Sequence, residues 1–243
     1  AGNCPGVQGK EYGYRGGGMQ LTYLRYDLYR YIYPTDDVSR VTMLSKIKTL
    51  LLTQGVWATT VYRIRRWAQY ECGSPAVRAV MKIVGGVLQL LVELTTGITI
   101  ETSADIGPGL YIGHYGNIFI GGDVTIGKLV NISQEVSVGY GGRGQNWGRP
   151  RRIGDCVYIA PGAKIVGKIT IGNNVVVGAN SVVSKSIPDN AVVLGVPARI
   201  INYDSSRDFI RFNREKNRPI LEEADQGLPV TDQEVELRAA GGA

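Results

Sequence analysis

The chain has 243 residues, which suits one sizeable core or one core with a small appended domain and excludes a large multidomain assembly. A formal net charge of +6 favours an anionic partner, but with only 20% charged residues this is not a nucleic-acid-binding composition, and a phosphorylated small cofactor fits better. One histidine and three widely separated cysteines offer no zinc or iron site and argue against a disulfide framework, which fits a reducing compartment and makes the cytoplasm the expected location.

Residues 1–18 are Gly-rich, lack the apolar stretch of a secretory signal and are set aside as disordered or vector-derived. Met19 to Tyr33 is aromatic-rich and predicts a short helix, closed by Pro34-Thr35-Asp36-Asp37, whose Asp/Thr group can cap the next helix. From Ser39 to Glu71 apolar residues recur at helical spacing, with Gly55 interrupting, and a helical pair is expected. After Gly73-Ser74-Pro75, the segment Ala76 to Leu94 contains an apolar run from Ile83 to Val92 that is about half of the ~20 residues a membrane span requires. It reads as a buried packing helix, or as a helix resting on a membrane surface beside the basic Arg63, Arg65 and Arg66.

At Ile100 the pattern changes to a period of six. Ile100, Ile106, Ile112 and Ile118 form one register, and Ile120, Ile126, Ile132 and Val138 a second, offset by two. Ile153, Ile159, Ile165, Ile171, Val177 and Val183 form a third. A helix repeats at 3.6 residues and a half-buried strand at two, so a β-branched residue at every sixth position fits neither. It fits short strands joined by turns, three hexads to a triangular coil, with the small residue after each aliphatic (Gly107, Gly113, Gly127, Gly154, Gly172, Gly178) expected to let the backbone turn the corner. Two interruptions stand out: the offset at Ile118-Phe119-Ile120, just after His114, and Gly139 to Arg152, which must leave the coil as a Gly- and Arg-rich loop. Beyond Tyr203 the sequence is polar and patternless, with a short helix expected near 207–216 and no chemistry assigned.

The ordered set Ile106-Gly-Pro-Gly-Leu-Tyr-Ile-Gly-His114, Ile126-Gly-Lys, Ile132-Ser-Gln-Glu-Val, Ile153 through Lys164, Gly178-Ala-Asn-Ser-Val-Val183 and Gly195-Val-Pro-Ala-Arg199 resembles the serine acetyltransferase branch of the hexapeptide-repeat acyltransferases, over about residues 98–202. The resemblance implies a left-handed parallel β-helix, assembled as a homotrimer and open to pairing of two trimers, with acetyl-CoA in the groove between neighbouring prisms. It gives His114 the part of the base that deprotonates the acceptor hydroxyl. The chemistry is sensible on its own terms, because a hydroxyl attacks a thioester poorly until a base of near-neutral pKa takes its proton.

Backbone N–H groups in the turns Gly139 to Gly144, including Gly139 and Gly142, are candidate donors to an oxyanion. By the same resemblance Ala160, Gly162, Ala163, Gly178 and Ala179 match cofactor-contacting rungs, and Lys185 and Arg199 are placed to meet phosphates. Glu135 could orient His114, bind acceptor hydroxyls, or face solvent. Arg143 and Arg149 could meet substrate or form, with Arg151 and Arg152, a solvated loop face. Trp147 could stack on a sugar ring or anchor the loop against a neighbouring subunit. Cys156 is expected to pack, and Asp105 and Asp123 to close turns.

Serine-specific members carry an Asp directly before the histidine and a second histidine in the loop, places held here by Gly113 and the Arg149-Pro150 region. That departure directs the main reading to acetylation of a sugar or polysaccharide-precursor hydroxyl. Serine O-acetylation feeding cysteine synthesis and a non-catalytic β-helix scaffold are the alternatives. The expected organisation is mainly β: a helical region over 19–97, a left-handed parallel β-helix of hexapeptide repeats over 98–202 and an extension over 203–243. No metal and no nucleic acid are expected, and the apolar helices leave room for peripheral membrane contact.

Overall fold

The structure is a computed structural model and describes residues 19–33, 41–142 and 144–210. Four helices come first: α1 (Met19–Ile32), α2 (Met43–Leu52), α3 (Gln54–Tyr70) and α4 (Pro75–Thr96). Residues 34–40, which hold the expected Asp/Thr capping group, lie outside the described residues; α2 is capped by Thr42, whose side chain accepts from the Ser45 N–H. The break between α2 and α3 falls at Thr53, not Gly55. Gly55 is instead a packing glycine inside α3: a Cβ there would stand 2.5 Å from the Ile112 carbonyl oxygen. At α4, Ser74 caps the first turn, Pro75 occupies the position where a missing N–H costs nothing, and Gly97 ends the helix in the left-handed conformation, φ 67°.

Strands begin at Ile98 and follow one another as β1 (Ile98–Ile100), β2 (Asp105–Ile106), β3 (Tyr111–Ile112), β4 (Ile118–Ile120), β5 (Thr125–Ile126), β6 (Asn131–Ile132), β7 (Ser137–Gly139), β8 (Arg152–Ile153), β9 (Tyr158–Ile159), β10 (Lys164–Val166), β11 (Thr170–Ile171), β12 (Val176–Val177), β13 (Val182–Val183), β14 (Val192–Leu194) and β15 (Arg199–Asn202). Every third strand pairs in parallel, which builds a three-sided solenoid of about five coils. The first face is β1-β4-β7-β10-β13, the second β2-β5-β8-β11, and the third β3-β6-β9-β12-β14, closed by β15 running antiparallel. All fourteen hexad aliphatics are at most 1% exposed and belong to one continuous core.

The turn glycines serve a different purpose from the one expected. At the corner between the second and third faces, Gly107, Gly127, Gly154 and Gly172 stack above one another, and a Cβ on Gly154 would lie 2.5 Å from the Gly172 carbonyl oxygen of the next coil. None of these four has positive φ; left-handed turn positions are held by other residues, among them Asp123, Leu129, Glu135, Cys156, Asn174 and Asn180. The glycines are there for coil-to-coil clearance. Asp123 thus closes a turn as expected, whereas Asp105 opens β2 and pairs with Arg66 at 2.6 Å.

The first coil has an open upper edge, a row of backbone groups with no coil above. The helices seal it. The Tyr62 hydroxyl lies 2.8 Å from the Ala104 carbonyl, and the Tyr31 hydroxyl accepts from the Ile112 N–H at 2.8 Å. Arg63 is fully buried against Asp27 and donates to the Ile106 and Gly107 carbonyls; Arg66 donates to Ala104 and Arg30 to Gly109. Burial pushes the Asp27 carboxyl up, with the adjacent Arg63 guanidinium opposing, and burial raises Tyr62 to about 12. The expectation that Arg63 and Arg66 face a membrane is therefore wrong: both are spent inside the chain.

Residues 203–210 run back along the corner between the second and third faces. Ser206 bonds the Cys156 and Asn174 carbonyls, Asn131 donates to Phe209, and Ile210 packs on Leu129 and Cys156. The described part of the expected 207–216 helix is a hydrogen-bonded turn, and 211–243 lie outside the described residues. Cys72 is a buried free thiol, and Cys156 is buried and packs against Leu129 and Ile210, as expected of it.

Candidate active site

With one corner covered by residues 203–210, the other two carry the chemistry-bearing residues. At the corner between the third and first faces, the coil containing His114 is two residues longer than the next coil. Ile100 pairs with Ile120, twenty positions on, whereas Ile120 pairs with Val138, eighteen on. The surplus lies in Gly113 to Asn117, and His114 and Tyr115 project there exposed to solvent. The segment is tied down through its backbone, Gly116 accepting from the Glu135 N–H at 2.8 Å. No hydrogen bond joins the His114 ring to any described residue, so both ring nitrogens are open to a ligand.

Glu135 sits one coil further along on the same corner, in the left-handed conformation that recurs at this turn position. Its carboxylate is exposed, and its carbonyl accepts from the Lys164 ammonium, which also reaches the Ser137 hydroxyl at 3.2 Å. Ala160, Gly162, Ala163, Gly178 and Ala179 continue the column on the next two coils. The N–H groups of Ala160, Gly162, Ala163 and Gly178 are all donated within the solenoid, and the Ala163 side chain is in the core. At these four positions the N–H groups are therefore taken up inside the solenoid.

The inserted loop belongs to a different corner, between the first and second faces. Gly139 is still in β7, and the chain leaves the coil at Tyr140 and re-enters at Arg152. Gly141 and Gly148 exchange two backbone hydrogen bonds of 2.9 Å around a 3-10 turn at Gly144–Asn146, so the Gly141 N–H is not free for an oxyanion. Arg149 bonds the Asp123 carbonyl and the Tyr140 hydroxyl, at 3.0 and 2.9 Å, with the Asp123 carboxylate at 3.5 Å. Trp147 is exposed, so its ring is accessible from outside the chain. Tyr140, Trp147, Arg149, Arg151 and Lys168 line an open cleft of about 600 Å³. Arg143 lies outside the described residues.

Lys185 also falls on the loop corner, following β13, while Arg199 opens β15 and is exposed. The expected site residues thus divide into two sets: His114, Glu135 and the small-residue column on one corner, Gly142, Trp147, Arg149 and Lys185 on the next. Tyr140, Lys164 and Lys168 were not anticipated; coil arithmetic was the available signal, since Lys168 occupies the turn one coil beyond the loop. Among the described residues no group of three or more His, Cys, Asp or Glu side chains gathers that could hold a metal.

A three-sided parallel solenoid with a projecting histidine defines an acyltransferase of the hexapeptide-repeat kind, and residues 152–185 match the family model described as bacterial transferase hexapeptide (six repeats). The chain belongs to that superfamily, in its serine acetyltransferase-like branch. It is 36% identical over 177 residues to the serine acetyltransferase of Staphylococcus aureus strain Mu50, covering 72% of this chain and 76% of that one. Over 125 residues it is 40% identical to the serine acetyltransferase of Staphylococcus xylosus, covering 51% of this chain and 57% of the relative. Among solved structures, serine acetyltransferase from Brucella abortus strain S19 superposes with a TM-score of 0.61 at 28% identity, over 76% of this chain and 70% of that chain. The same enzyme in complex with coenzyme A gives a TM-score of 0.58 at 28% identity, over 75% and 68% of the respective chains. The protein is an acetyl-CoA-dependent acyltransferase, and the scaffold reading is set aside.

Proposed function

We propose that this enzyme transfers acetyl from acetyl-CoA to the hydroxyl of L-serine, with His114 as general base. The observation that carries the base assignment is the exposed imidazole, without an internal partner, on a corner lengthened by two residues. The relatives described above, named serine acetyltransferases, support the acceptor. In the step itself the imidazole takes the hydroxyl proton as the oxygen attacks the thioester carbonyl carbon. The tetrahedral intermediate collapses with loss of the coenzyme A thiolate, which recovers the proton from the imidazolium. No acyl-enzyme is required.

The division of the site between two corners supports a composite arrangement. We infer a homotrimer in which the histidine corner of one prism faces the loop corner of the next, so that Arg149 and Trp147 of one copy meet the acceptor held at His114 of another.

A second reading, acetylation of a sugar hydroxyl, is favoured by one observation. Gly113 precedes the histidine, and Arg149, already engaged with Asp123 and Tyr140, occupies the loop, so the carboxylate expected beside His114 to receive an ammonium group is missing. Thiol release from acetyl-CoA, measured with L-serine and with free and nucleotide-linked sugars, separates the two. Turnover with serine supports the proposal; turnover with sugars alone moves the conclusion to the second reading. Failure with both, in protein that binds acetyl-CoA, overturns both.

A further inference from the structure

The helices carry an apolar surface that acetyl transfer does not use. On α4 the residues Val80, Ile83, Val87, Leu90, Leu91 and Leu94 are all more than half exposed. Their spacing puts them along one side of the helix, while Gly85, Gln89, Val92 and Thr96 occupy the buried side. The charged residues of α4 stay off the apolar side. Arg78 donates to the Cys72 carbonyl, Lys82 lines a cleft against α3, and Glu93 accepts from Gln89. The expected buried packing helix is thus covered on one side only in the single chain. On α2 no residue is buried, and Met43, Leu44, Ile47, Leu51 and Leu52 are exposed.

Charge distinguishes the possible occupants. From the start of α2 to the end of α4 the carboxylates are Glu71 and Glu93, against Lys46, Lys48, Arg63, Arg65, Arg66, Arg78 and Lys82. Arg63 and Arg66 are consumed by the first coil, which leaves five cations against two carboxylates over the apolar helices. A second copy would bring a like-charged surface against this one, whereas a layer of anionic headgroups over acyl chains complements both features. No described helix is long and apolar enough to cross a membrane, so the fitting geometry is a helix lying along the interface.

We propose that α2 and α4 dock this enzyme on an anionic lipid surface, with the exposed aliphatics entering the acyl boundary and the flanking lysines and arginines meeting headgroup phosphates. The inference does not rest on the identity of the acceptor. Flotation of the full chain with phosphatidylglycerol–phosphatidylcholine vesicles tests it, with pure phosphatidylcholine vesicles as comparison and size-exclusion chromatography of every variant. Partitioning onto the anionic vesicles is expected to exceed that onto the neutral ones by about tenfold, and Lys48→Glu with Lys82→Glu to remove most of that excess. Ile83→Glu with Leu91→Glu is expected to abolish flotation while leaving the elution volume and acetyl-CoA binding unchanged. Failure of the parent chain to float, or equal flotation of the Ile83/Leu91 variant, overturns the proposal. So does dissociation of an oligomer by that variant, which would assign the α4 surface to a second copy.

Discussion

Asp27 and Arg63 meet at 2.7 Å with both side chains fully buried, and together they take the place of a missing coil above the solenoid. Asp27 accepts from the Gly109 and Leu110 N–H groups, and Arg63 donates to the Ile106 and Gly107 carbonyls. Removing one partner leaves the other charged, buried and unpaired, together with several orphaned backbone groups. Asp27→Ala is expected to lower unfolding free energy by about 3–5 kcal/mol, read from urea denaturation.

Glycine substitutions are expected to divide by location. Gly154→Ala places a methyl group 2.5 Å from the backbone oxygen of Gly172 and should destabilise by at least about 1–3 kcal/mol, since neither coil can move without its neighbours. Gly86→Ala, on α4 with nothing within 4 Å of the added carbon, should instead stabilise by up to about 1 kcal/mol. Thermal melts of the two variants check the contrast.

Alkaline pH should loosen the helix–solenoid joint. Burial raises Tyr62 to about 12 from an ordinary 10, and burial raises Tyr31 as well. Below pH 10 both phenols are protonated in folded and unfolded chains alike, and their contribution is intact. Between 10 and 12 the unfolded chain releases these protons and the folded chain holds them, so stability falls as pH rises. Absorbance at alkaline pH, tracked alongside circular dichroism, should show part of the tyrosine titration delayed until unfolding.

Arg149 ties the inserted loop to Asp123 and Tyr140 on a partly exposed surface. Arg149→Ala should cost less than about 1 kcal/mol of stability. If the loop meets acceptor, KM for the acceptor rises while KM for acetyl-CoA holds. Steady-state kinetics with each substrate varied in turn provide the check.

The solenoid was legible because a β-branched residue at every sixth position permits few arrangements, and each such residue is in the core. The exposed corner at His114 was legible in part, through the two-residue offset just beyond it. Other features needed three dimensions. Arg63 reads as a surface cation until the open edge of the first coil is seen, and Gly55 reads as a helix break until α3 is seen against Ile112. The separation of His114 from the loop also depends on counting residues around a prism, because proximity in sequence runs opposite to corner assignment: Glu135 shares the histidine's corner and Tyr140, five positions on, does not.

The base assignment is tested most directly by His114→Asn, which keeps a polar side chain of similar reach but removes the proton acceptor. With acetyl-CoA affinity measured by calorimetry and turnover by thiol release, kcat is expected to fall by about 10²–10⁴ while the affinity stays within error. Turnover that survives the substitution intact would contradict the account.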